Sequence, residues 1–325
     1  MPEMARRTVL KNGLGLLSLT VAGRAATAAA SFPDHQITVV CPFAPGGIND
    51  LCARVVARGL EQAFKQTAVV ENKPGASSIL GMAAIARSAP DGHNLVTCSD
   101  RIVCFPTIGA TPFDIEKDFA PVTRLVVVPM FLVTRRGLGV KTIDELIALA
   151  KSNPNLTFAS TGSGSTTHLT GSLFKARAGV NLVHVPYKGS IPAINDVVAG
   201  HVDVMFADLG GVAPFIDSGY VNAIAVASAK RSMRFPNIST FAEQGMADFE
   251  ASLWIGLLAR GGTPPETIAK INNVVRDTFA DTELAKPIFN LGAEVATDTS
   301  ENFIRLIDKE RARMAPILRA ENIHL

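Results

Sequence analysis

Two turns in this 325-residue chain place glycines directly ahead of helix-forming sequence. The first is Phe43-Ala44-Pro45-Gly46-Gly47, followed by Asn49 and Asp50, either of which is suited to cap the helix behind it. Glycine has no Cβ, so Gly46 and Gly47 are free to take positive φ and bring the backbone close to a ligand. The helix start behind them offers N–H groups with no intrahelical partner. That arrangement favours an anion the size of a small carboxylate. The second turn, Thr161-Gly162-Ser163-Gly164-Ser165-Thr166, repeats the pattern in a hydroxyl-rich setting and leads through Thr167 to His168.

Serine beside histidine raises the alternative of a nucleophilic hydrolase. Gly162-Ser163-Gly164-Ser165 lacks the Gly-x-Ser-x-Gly spacing of a strained nucleophile elbow, and no acid partner is defined, so no catalytic residue is assigned. His168 is expected to line or brace its turn. Other polar residues follow predicted strands, where a rim is formed. Arg101, beside Ser99 and Asp100, either pairs a second carboxylate bidentately or is a solvated rim cation. Asp50 either braces the first turn or accepts a hydrogen bond from a ligand ammonium or hydroxyl. Tyr187 either covers a ligand or packs, Lys188 beside it can steer anions, and Asp208 either reaches the pocket or organises its loop.

Cys41, Cys52, Cys98 and Cys104 match no zinc-ligand spacing, and no metal or cofactor is expected. Buried free thiols and disulfides both remain open for them.

The elements that must carry these residues alternate. Ile37, Val39, Val40 and Phe43 read as a buried strand, and Leu51, Val55, Val56, Leu60 and Phe64 as one face of a helix. Ala68 to Glu71, a helix from Ser77 to Arg87 and a strand from Leu95 to Cys98 complete a βαβαβ pattern with a parallel sheet. Right-handed crossovers then bring the turns after each strand to one rim. Phe119 to Thr134, interrupted by Pro121 and Pro129, reads as extended chain crossing between lobes. Thr142 with Glu145 forms a capping box ahead of a helix to Lys151. Leu156 to Ser160, Val183 to Pro186, Val202 to Phe206 and Ala223 to Ala227 are the strands of a second α/β set. Gly200 ends the helix before the third of these. Leu253 to Leu258 is a return strand, Thr263-Pro264-Pro265-Glu266 opens a helix, and Ser300 to Arg319 is a terminal amphipathic helix. Two α/β lobes joined by two crossings leave a cleft that both turns can face, the architecture of a hinged binding protein.

Residues 1–30 stand apart from this core. Arg6, Arg7 and Lys11 precede an uncharged run from Asn12 to Gly23 and then Ala28-Ala29-Ala30, a signal-peptide pattern in which the paired arginines also fit a twin-arginine signal. Export to the periplasm is expected. Cleavage removes four basic residues (Arg6, Arg7, Lys11, Arg24) and one acidic (Glu3), which takes the net charge from +2 to about −1. With no basic cluster interleaved with aromatics, nucleic-acid binding is set aside.

The ordered motifs resemble one family. They are Pro42-Phe43-Ala44-Pro45-Gly46-Gly47-Ile48-Asn49-Asp50, Val70-Glu71-Asn72-Lys73-Pro74-Gly75-Ala76, Pro90-Asp91-Gly92, Asp118-Phe119-Ala120-Pro121-Val122 and Thr161-Gly162-Ser163-Gly164-Ser165 with His168-Leu169. Val185-Pro186-Tyr187-Lys188-Gly189, Gly200-His201-Val202-Asp203-Val204-Met205-Phe206, Ala229-Lys230-Arg231-Ser232 and Glu243-Gln244-Gly245 follow. The chain resembles the Bug receptors, the extracytoplasmic solute-binding proteins of tripartite tricarboxylate transporters. The resemblance implies a two-lobed type II periplasmic-binding-protein (Venus flytrap) α/β fold, with residues 31–128 and 253–325 in lobe 1 and residues 129–252 in lobe 2. It also implies a non-enzymatic, monomeric receptor that delivers a small carboxylate to membrane transporter subunits, with the two glycine turns holding it. A ligand-sensing module for signalling is the alternative. The chain departs from the family pattern at His93, where tyrosine is common, at Ser77-Ser78, and at Ser99-Asp100-Arg101.

Overall fold

The structure is a computed structural model that describes residues 32–109 and 111–323; the expected signal peptide lies outside them. In chain order the elements begin with β1 (Ile37–Cys41), α1 (Ile48–Phe64), β2 (Ala68–Asn72), α2 (Ile79–Ala86) and β3 (Asn94–Ser99). A 3-10 turn over Asp100–Cys104 leads to the short α3 (Phe105–Ile108) and then to the long β4 (Phe119–Arg135). Next come α4 (Ile143–Ser152), β5 (Thr157–Ser160), α5 (Thr166–Ala178), β6 (Val183–Pro186), α6 (Ser190–Ala199), β7 (Val204–Asp208), α7 (Leu209–Asp217) and β8 (Val221–Val226). The chain returns through β9 (Ser252–Arg260), α8 (Pro265–Ala280), α9 (Thr282–Phe289), β10 (Glu294–Val295) and α10 (Ser300–Ala320). Among the described residues no helix is long and apolar enough to cross a membrane.

The fold is two-lobed α/β. In the first lobe β1 pairs in parallel with β2 and β3, and β3 pairs antiparallel with β9. In the second, β5 pairs in parallel with β6 and β7. The 17-residue β4 joins them. It runs antiparallel to β9 from Phe119 to Pro129, then to β7 and β8 from Met130 onward. Pro121 is tolerated where the β4–β9 register shifts, between Pro121 and Thr123, and Pro129 makes the last pair of that ladder, opposite Ser252. Side chains alternate across the sheet, with Met130 and Leu132 in one apolar layer and Phe131 and Val133 in the other.

The helices follow their apolar stripes. On α1, Val55, Val56 and Leu60 are buried while Arg54, Arg58 and Glu61 are exposed. Gly59 lets α8 approach closely, since a Cβ there would fall 2.0 Å from Thr278 Oγ1. The Thr142 hydroxyl accepts from Glu145 N at 3.2 Å, and Gly200 closes α6 at φ 83°.

Several expectations shift. β1 ends at Cys41 rather than reaching Phe43, because Pro42 has no N–H to extend the ladder. The α1 N-cap is Gly47, not Asn49 or Asp50, which lie inside the first turn. α2 starts at Ile79, since Ala76 and Ser78 hold φ of 44° and 80°, outside the α-helical region. The strand expected at Val202 starts at Val204. The short α3, α7 and α9 and the two-residue β10 were not anticipated; each of these helices carries a proline, which masks helical periodicity.

All four cysteines are buried and free. Burial pushes the Cys52 and Cys98 thiols up and Cys104 to about 12, so they sit as unreactive core groups.

Candidate functional site

The parallel strands bring their C-terminal ends, and the turns after them, to one rim of each lobe. Behind the first turn, Asp50 is 2% exposed and accepts from Gly46 N (3.0 Å), Arg54 Nε (2.9 Å) and Asn72 Nδ2 (2.8 Å). The same Asn72 amide reaches the Phe43 carbonyl at 3.2 Å, tying the turn to the end of β2. Burial works to raise the Asp50 carboxyl, but Arg54, the Gly46 N–H and Asn72 outweigh it and hold it below the usual carboxylate range. Asp50 therefore braces the turn from behind. Phe43 is half-buried against the core, whereas Ala44, Pro45, Gly46 and Gly47 are exposed. Only Gly46 uses positive φ, at 91°; Gly47 is extended at φ −82°. With glycine as N-cap, α1 has no side-chain cap hydrogen bond to its first-turn N–H groups.

The second turn is built differently. Gly162 and Gly164 take φ of 135° and 70°. Ser165 caps α5, its hydroxyl accepting from His168 N at 3.3 Å and donating to the Gly162 carbonyl at 2.6 Å. Thr167 Oγ1 accepts from Thr161 N at 2.9 Å, and His168 Nδ1 accepts from Gly164 N at 3.0 Å. His168 is 4% exposed and stacks on His184 with 3.7 Å between ring centroids. Burial, then the neighbouring His184, lower His168 to about 4, so at neutral pH it is a neutral acceptor and a brace. Ser163 is the exposed residue of this turn.

The loop after β3 joins the lobes. Ser99 is buried and N-caps the 3-10 turn by position. Thr166 Oγ1 donates to Asp100 at 2.8 Å, and Arg101 Nη1 donates to the Gly164 carbonyl at 3.1 Å. Arg101 is therefore engaged rather than a freely solvated cation, and its Nε is enclosed without a hydrogen-bond partner. Removal from water pushes the Asp100 carboxyl up to about 7; the Thr166 hydroxyl and Arg101 oppose that shift, and Glu310 adds to it.

Two candidates have their polar atoms committed elsewhere. Tyr187 donates its hydroxyl to Asp196 at 2.5 Å. Burial and then Asp196 raise it to about 12. Asp208 is the α7 N-cap and accepts from Gly211 N at 3.0 Å. Sequence reasoning missed Asn72, Thr167 and His184 as supports. Asn72 stood at a recognisable strand end, but nothing local marks His184 as the stacking partner of His168. A cavity of about 760 Å³ lies away from both turns, between α8 and α10, with Ile268, Arg276, Ile304 and Ile307 in its walls.

The chain matches the family model described as tripartite tricarboxylate transporter family receptor over residues 52–323. It is 33% identical over 310 residues to protein BugT of Bordetella pertussis, covering 94% of this chain and 95% of that one. Among solved structures it is similar to R. palustris Rpa4515 with adipate (29% identity, TM-score 0.74, 90% of this chain and 99% of the other). It is also similar to MatC from Rhodopseudomonas palustris with bound malate (29% identity, TM-score 0.71, 88% and 100%). A family match across most of the chain, joined by a relative aligned over nearly its full length, shows that the protein belongs to the tripartite tricarboxylate transporter receptors, which are solute-binding proteins and not enzymes.

Proposed function

We propose that this receptor captures a small dicarboxylate in the periplasm and presents it to the membrane subunits of a tripartite transporter. The observation that carries this reading is the uncapped start of α1. Ala44 to Gly47 are exposed, and a Cβ at Gly46 or Gly47 would meet nothing within 4 Å, so the uncapped first turn of α1 has room for one carboxylate. The second carboxylate is placed toward Arg101, with Ser99, Ser163 and the Thr161–Thr166 turn completing the pocket. Asp50, Asp100, His168, Tyr187 and Asp208 act as supports. Adipate and malate, found with two structural neighbours, are both dicarboxylates.

In this reading residues 1–30 direct export, residues 31–128 with 253–325 and residues 129–252 are the moving lobes, and the receptor works as a monomer. Closure follows if the ligand binds the closed form better than the open one, as contacts from both turns would ensure. A thermal-shift and calorimetric screen of mono- and dicarboxylates tests the reading. Dicarboxylates are expected to raise the melting temperature in proportion to affinity, with compaction in solution scattering. A flat response to every carboxylate would refute it.

A further inference from the structure

We propose that Asp34, His35 and His93 form a zinc-binding site on the rim of the first lobe opposite the two glycine turns. Asp34 Oδ1 lies 2.6 Å from His35 Nδ1 and 3.2 Å from His93 Nε2, and all three potential ligand atoms fall within 4.8 Å of one another. Two imidazoles and a carboxylate are the donor set of an open zinc site, in which water takes the fourth position.

The fit can be judged from distances. Zinc bonds of about 2.0–2.2 Å in a tetrahedron put neighbouring ligand atoms about 3.3 Å apart. The Asp34–His93 separation already meets this. The Asp34–His35 separation must widen by about 0.7 Å to reach that figure, and His35 is free to do so because its side chain is 56% exposed. The His35 and His93 rings now stack with centroids 3.5 Å apart, so His35 turns to aim its lone pair at the ion.

A second observation concerns His93 itself. Its side chain is 5% exposed and its Nδ1 has no hydrogen bond of good geometry, yet it faces Asp91 Oδ1 at 3.3 Å. The same carboxylate oxygen is fixed by His93 N at 2.9 Å. A buried histidine with a carboxylate behind one ring nitrogen presents the other as a metal ligand, the tautomer and ring orientation being set by the outer partner. The Asp34 N–H now sits 3.2 Å from that presented Nε2 and is what the ion would displace.

Asp34 and His35 lead into β1, and His93 leads into β3, whose Asn94 registers with Thr38. An ion here clips the segment entering the lobe to the sheet and leaves the ligand turns at the other end of the strands untouched. Separation in sequence hides the site, since no local spacing links His35 to His93.

The test uses the untagged full chain, stripped with a chelator and titrated with Zn2+ by calorimetry and thermal unfolding. One equivalent is expected to bind, and the melting temperature to rise with zinc concentration. His35→Ala and His93→Gln should each weaken binding at least about tenfold, because each removes a ligand. His201→Ala should bind as the parent does, and carboxylate affinity should be the same with and without zinc. Because His35 is exposed, its variant keeps the test valid even if His93→Gln unfolds. No saturable binding, binding that survives His35→Ala, or a carboxylate affinity that follows zinc would each overturn the proposal.

Discussion

Arg101 Nη1 donates to the Gly164 carbonyl at 3.1 Å, so a side chain from the loop after β3 reads the backbone of the turn after β5 in the other lobe. Thr166 and Asp100 make a parallel contact one turn away. The lobes are thus joined at the mouth of α5 by groups that sequence order keeps far apart.

Arg101→Ala is expected to weaken dicarboxylate binding at least about tenfold, since charge-assisted hydrogen bonds are worth about 1.5–3 kcal/mol. Arg101→Lys, which keeps the charge and loses the planar fork, should fall between the two. Calorimetry with adipate and malate measures this. Equal affinities in all three proteins would remove Arg101 from the pocket.

Gly47→Asp separates helix stability from ligand capture. Gly47 has ordinary extended φ and open space around it, so aspartate fits and caps α1. Urea unfolding should show unchanged or slightly raised stability, by a few tenths of a kcal/mol. Carboxylate binding should be lost, because the new side chain occupies the anion's place. Retained binding would move the site away from α1.

Asp100 and His168 give opposite pH slopes. The folded Asp100 carboxyl stands at about 7, above the ordinary aspartate value of 3.8, so the folded state holds a proton that the unfolded chain releases. That contribution is full below the unfolded pKa and is lost as pH rises toward 7. Asp100→Asn removes the slope, and its stability relative to the parent should grow between pH 4 and pH 8. His168 is held at about 4, below 6.5, so the unfolded chain takes up protons first. Its contribution is present above 6.5 and declines as pH falls toward 4. An NMR titration should find the His168 ring neutral at pH 5.5, with the Gly164 amide shifting only when the ring protonates.

Gly59→Ala tests the α1–α8 crossing. The added methyl collides with Thr278, whose hydroxyl is already bonded to the Val274 carbonyl at 2.7 Å. A loss of about 1–3 kcal/mol is expected in denaturant unfolding. Thr278→Ala in the same chain removes the Oγ1 and Cγ2 contacts at 2.0 and 2.6 Å but keeps a Cβ at 2.8 Å, so the double variant should recover part of the loss. Additive losses would mean that the two sites do not touch.

The amino-acid sequence by itself determined what depends on neighbours along the chain. The two glycine turns, the Thr142 cap of α4, the Gly200 stop and the crossing of β4 marked by Pro121 and Pro129 all follow from local geometry and periodicity. These rest on residues within a turn of one another or on a period of two or 3.6. Tertiary structure decided the partners. It brought Asn72 from the end of β2 to the buried Asp50 and to the Phe43 carbonyl. It also set Asp100 under Thr166 and Arg101 on Gly164. A polar side chain at a strand end can turn to a ligand, a helix start or the opposite lobe with little local preference. The choice among them is made by packing between segments dozens of residues apart, which leaves no periodic trace in the sequence.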